Sequence, residues 1–83
     1  MFSSNQEFYA YIELLSKKLD DAKEERWSSA FREALSISSL PGEILGKLWL
    51  TLKEFQSTKI PQKLGMSDEI QAIIESLGEI LRN

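Results

Sequence analysis

The sequence predicts an all-α fold, a compact antiparallel bundle of four helices at about residues 4–21, 23–37, 41–55 and 67–81, with one long loop over 56–66. Apolar residues recur at the 3.6-residue period along nearly the whole chain. No run alternates β-branched with polar residues as a half-buried strand would. The breaks between periodic segments are mostly short, and short links place successive helices antiparallel. The 83 residues read as one domain spanning 1–83, a size that supports a single core with about 3–5 kcal/mol of net stability.

In the first helix, Ser3 or Ser4 can cap the start by accepting a backbone N–H. Phe8, Tyr11, Ile12, Leu15, Leu19 and Ala22 then fall on one face, and the helix should stop near Asp20–Ala22 without a glycine to mark the end. The second helix turns Trp27, Ala30, Phe31, Ala34 and Ser38 inward, with Leu35 flanking. Trp27 sits among charges in sequence but on the apolar stripe in space. It is expected to be a core plug between helices one, two and a third. Pro41 suits the first turn of the third helix, where its missing N–H costs nothing, and Ser39 or Leu40 takes the cap position. Ile44, Leu45, Leu48, Leu52 and Phe55 form that helix's core stripe. Pro61 and Gly65 break the 56–66 segment, which Ile60, Leu64 and Met66 should tie to the core, with room for one helical turn. Ser67 is expected to cap the last helix, with Asp68 and Glu69 at the positive end of its dipole. Ile70, Ile73, Ile74, Leu77 and Leu81 make its stripe, and Gly78 interrupts it late, where it could admit a neighbour.

Composition excludes much chemistry. The chain has no cysteine and no histidine, which removes disulfides, thiol nucleophiles, zinc–thiolate sites and the commonest general base and metal ligand. No phosphate loop or nucleophile motif is present. The adjacent acids Asp20–Asp21, Glu24–Glu25 and Asp68–Glu69 point about 100° apart on a helix, which suits solvated faces better than an acid–base dyad. Glu75 and Glu79 repel mildly at i,i+4 and could take a basic partner or, weakly, a cation. The expectation is a protein that is not an enzyme and carries no cofactor and no metal. The net charge is −3, unevenly spread: residues 1–45 carry eight acids and five bases, 46–66 four lysines against Glu54, and 67–83 four acids against Arg82. An acidic chain without a clear helix-turn-helix pattern is not expected to bind nucleic acid. No segment has the ~18 apolar residues that span a bilayer, and no helix has a broad basic face, so no membrane association is expected. The stretch MFSSNQEFYAYIELL has neither a basic leader nor an unbroken apolar run. No signal peptide is expected, and a cytoplasmic location fits the lack of cysteine.

The third helix departs from a plain bundle. Leu50 falls among Glu43, Lys47 and Glu54, far from the core stripe, and Trp49 lies at the stripe's edge. Gly42, Gly46, Trp49 and Lys53 form a second line. A mid-helix Gly46 costs about 1 kcal/mol relative to alanine, for which close approach of another backbone is the common compensation. Two accounts stand side by side. The 56–66 loop could fold back and bury Leu50 or Trp49, or this surface could meet another protein. On the second account Trp49 or Leu50 is the apolar anchor, and Glu43, Lys47 and Glu54 set the register. Leu14 and Ile80 also lie off their stripes.

Two blocks carry a resemblance. LSKKLDDAKEERWSSAFREAL is similar to a pattern in small, largely uncharacterised bacterial proteins, in which a first helix is followed by Glu-Arg-Trp and an amphipathic second helix. GEILGKLWLTLKEF resembles the block that follows there; together they cover about residues 14–55. Those proteins are similar in size and helical build to immunity proteins that neutralise bacterial toxins, a likeness at the level of fold. The resemblance implies no catalytic residues. It implies a bacterial interaction protein whose partner is another protein, such as a toxin it occludes. The alternative is a homo-oligomeric helical module whose extra apolar face serves self-association.

Overall fold

Ser4 starts the first helix as expected: its side chain accepts from Glu7 N at 3.2 Å, while the Glu7 carboxylate accepts from Ser3 N at 3.1 Å. The first bond satisfies an amide that a helix start leaves without a partner, and the second ties the residue before the cap to the first turn. A computed structural model gives the fold of residues 2–82. Helices α1 (Asn5–Asp21), α2 (Glu25–Leu35), α3 (Pro41–Gln56), α4 (Ile60–Lys63) and α5 (Ser67–Arg82) follow in order, with no strand among the described residues. The radius of gyration, 11.9 Å, is what about 80 residues give as one collapsed unit.

α3 is the hub, packed against α2, α4 and α5, while α1 rests chiefly on α2. The α3–α5 pair is antiparallel. Gln56, at the end of α3, donates to Ser67 O at the start of α5 (3.0 Å), and Trp49 reaches Ile74 a few turns on. Phe31, Phe55, Ile12, Leu15, Leu19, Leu48, Leu52 and Ile70 are sealed from solvent at the centre. Trp27 lies on Phe55, with ring centroids 5.4 Å apart, and Phe31 meets the same ring edge-on at 5.4 Å. Trp27 is thus a plug joining α2 to α3, and tilted and edge-on pairs of this kind add to the gain from burial alone.

Several local expectations change. The α1–α2 turn ends α1 with a left-handed residue that is not glycine: Lys23 has φ 65°. Lys23 N bonds Asp20 O at 3.0 Å and Glu24 N bonds Leu19 O at 2.8 Å, the paired closure of a Schellman end. The closure delays α2 to Glu25, and the helix ends at Leu35 with Ser36 as its cap, so Ile37 lies outside the helix expected to reach 37 and Ser38, expected on its stripe, lies beyond it. The 56–66 segment is less a loop than a second such turn. Pro61 opens the one-turn α4, and Gly65 (φ 70°) closes it, with Gly65 N to Gln62 O at 3.1 Å and Met66 N to Pro61 O at 2.8 Å. Its contacts are with α3 and α5. Ser67 is the first residue of α5 rather than its cap; Met66 O accepts from Ile70 N at 2.9 Å instead. Tyr11 and Ala22 are only half-buried, and Leu81 is exposed, because the core ends one turn earlier in α5 than its stripe.

Three buried hydroxyls were not on the expected stripes. Ser16 donates to Ile12 O (2.9 Å), Thr51 donates to Lys47 O (2.8 Å), and Ser28 donates to Asp20 and to Glu25 O. A small side chain that satisfies itself on its own helix can be buried where neighbours press close, since no polar group is left without a partner.

Candidate functional site

The outer side of α3 carries the sequence-predicted residues. Glu43, Lys47, Leu50 and Glu54 are all exposed. Their spacing of four, three and four residues sets them in one row along the helix. Leu50 is 50% exposed, and the 56–66 segment does not cover it. The inner side of the same helix supplies Ile44, Leu45, Leu48, Leu52 and Phe55 to the core, so the row stands on a rigid support.

Trp49 takes a different place from its four companions. It is half-buried and turned toward α5, not into the row. Its indole Nε1 donates to Ile74 O at 3.1 Å, and Lys53 Nζ lies 4.3 Å from the ring centroid on the open side. The ring fits there because position 78 has no side chain. A Cβ on Gly78 would lie 3.3 Å from Trp49 Nε1. Close approach was expected at Gly46, but nothing lies within 4 Å of a Cβ built there. The glycine that admits a neighbour is Gly78. Of the two apolar candidates, Leu50 therefore faces outward, while Trp49 joins α3 to α5.

A second feature was not legible in the sequence. Tyr11 OH donates to the Glu69 carboxylate, linking α1 to α5. Burial first, and then this bond and the carboxylate's charge, push the Tyr11 phenol far above its ordinary value, so it stays protonated and holds the link. Further along the same two helices, a cleft of about 460 Å³ opens between the start of α1 and the second half of α5. Phe8, Leu45, Ile73 and Leu77 form its floor, with Phe2 and Ile80 among its edges. Phe2 folds back on α1, its ring 5.1 Å from Phe8 and 5.5 Å from Tyr11. Ile80 is 61% exposed. The exposure of Ile80 could be read from its position off the stripe; the gap beside it could not.

Elsewhere, Arg32 Nη2 bonds Asp20 Oδ2 at 2.8 Å. Arg32, and then Ser28, hold the Asp20 carboxyl below the usual aspartate range. This cluster fastens α1 to α2. Among the described residues no group of three or more histidine, cysteine, aspartate or glutamate side chains is placed to hold a metal ion, and no helix is long and apolar enough to cross a membrane. Comparison with protein-family models, curated proteins and solved structures finds no match to this chain.

Proposed function

We propose that the chain is a noncatalytic protein-binding module that docks through the outer row of α3. We propose further that its partner is a bacterial toxin whose working surface it occludes in the cytoplasm, as an immunity protein does. One observation carries the reading: Leu50 is held half-exposed on a rigid helix, inside a frame made by Glu43, Lys47 and Glu54. An apolar anchor within a polar rim is the usual anatomy of a binding hot spot. The alternating charges around it would fix register and reject wrong partners more than they would add affinity. Occlusion asks no chemistry of the protein, in keeping with a chain that lacks histidine and cysteine.

The test is Leu50→Glu. Because the side chain is exposed, unfolding free energy should change by less than ~0.5 kcal/mol. Capture of a specific partner from host extract, identified by mass spectrometry, should be lost. An unchanged set of captured proteins would remove α3 as the docking surface. Sedimentation at high micromolar concentration checks the competing reading: a tight dimer that Leu50→Glu dissolves would make the chain a self-associating module.

A further inference from the structure

We infer that the open cleft between α1 and α5 receives the apolar face of a basic amphipathic helix contributed by a partner protein. The inference rests on the reading of the chain as an interaction protein, but it uses a different surface from the α3 row and names the chemistry of what binds there. The cleft itself is the first argument. The Tyr11–Glu69 bond fixes the two helices at one end of their seam, and about 460 Å³ lies open toward the other. Its floor is made of core residues. Phe8, Leu45, Ile73 and Leu77 are each no more than 8% exposed, so they are already fixed by packing and lose little freedom when covered. Ile80 stands at the edge with most of its surface in water. A cleft with an apolar floor and a rim that includes Ser3, Ser4, Asn5, Ser76 and Glu79 suits apolar side chains presented on one face of a third helix with polar residues beside them.

Charge selects the occupant. Glu79 lines the cleft, the Glu7 carboxylate accepts from the backbone of the lining residue Ser3, and Glu69 holds Tyr11 at the closed end, while no lysine or arginine is among the lining residues. Arg82, on α5, lines a separate hollow with Trp49, Gly78 and Leu81. The lysines of the 46–66 segment belong to α3, α4 and the turns around them. An anionic amphiphile or an acidic segment would meet like charge at this cleft, and so would a second copy docking groove to groove. A helix with lysine or arginine beside its apolar stripe would be steered in by opposite charge.

A display selection of random 16-residue peptides on the full chain tests this, with binding of the recovered peptides then measured by fluorescence anisotropy. Two variants locate the site. Ser76→Trp places an indole in the cleft from an exposed wall position, and Ile80→Lys reverses the character of its edge. Both alter exposed residues, so Ile80→Lys carries the test should the bulkier Ser76→Trp fail to fold. The expected peptides have apolar residues at helical spacing flanked by lysine or arginine. Their affinity should fall at least tenfold in either variant, weaken as salt rises, and stay unchanged in Leu50→Glu. Loss of partner capture in Leu50→Glu with peptide binding intact would show that the two surfaces act independently, as inferred. Recovery of no binders, of acidic or non-helical peptides, or of peptides indifferent to both variants would overturn the inference. So would a wild-type dimer that Ile80→Lys dissolves, since a second copy would then be the occupant.

Discussion

The two tryptophans occupy opposite kinds of place, and the contrast separates what holds this fold from what it can offer to a partner. Trp27 is 8% exposed and lies tilted against Phe55, whose ring Phe31 meets edge-on. It belongs to the centre, where packing decides everything. Trp49 lies over Gly78 at the α3–α5 seam, with its N–H committed to Ile74 O and the Lys53 ammonium over its open side. The same residue type is thus a plug in one place and a clasp in the other. The difference comes from what faces it: the ring of Phe55 in the first case, a bare backbone in the second.

The largest break in this contrast should come from Trp27→Ala. Removing a ring of this size from a close-packed centre typically costs about 3–5 kcal/mol, and urea unfolding should show most of the protein's stability gone. A cost below ~1 kcal/mol would mean that the ring is not a core element. The clasp should break more gently. Trp49→Phe removes one hydrogen bond and should cost about 0.5–1.5 kcal/mol.

The glycines sharpen the point. Gly46→Ala meets open space and should stabilise by about 1 kcal/mol through helix propensity. Gly78→Ala should gain clearly less, because its Cβ presses on Trp49, and should recover the gain in a Trp49→Phe background. Non-additivity of about 0.5 kcal/mol or more is expected for such a contact pair, and equal gains at both glycines would contradict the clasp.

The smallest effect concerns the tie between α1 and α2 that flanks the Trp27 side. The Asp20 carboxyl is lowered by Arg32 and Ser28. Its contribution is present above the ordinary aspartate range and is lost as pH falls through the depressed folded value. Asp20→Asn should flatten the acid limb of a stability–pH curve below about pH 4. An unchanged limb would show that the pair is too solvated to matter.

Much of this arrangement was legible from periodicity. The stripes on α1, α2, α3 and α5 placed Phe8, Ile12, Phe31, Leu48 and Ile73 inside, and the angular outliers Leu14, Leu50 and Ile80 outside, where each is at least 50% exposed. What escaped depends on residues distant in sequence or on backbone detail. Trp49 sits at a stripe edge, so its direction was decided by a glycine in another helix. Gly46 and Gly78 look alike in sequence, and only the packing of α5 distinguishes them. The stop of α1 at Lys23 uses a left-handed residue that sequence does not favour there, at a cost of about 1–2 kcal/mol. The cleft between α1 and α5 is a gap in packing, and no periodic pattern encodes a gap. Of the α3 candidates, Glu43, Lys47, Leu50 and Glu54 follow from helical angle alone; Trp49 does not.

Fluorescence of the two single-tryptophan proteins tests the contrast most directly. Trp49→Phe keeps only Trp27, which should emit to the blue and resist acrylamide quenching until the chain unfolds. Trp27→Phe keeps only Trp49, whose emission and quenching should lie between those of a buried and a free indole. Equal quenching of the two, or a Trp27 as accessible in the folded protein as in the denatured chain, would contradict the division between core and seam.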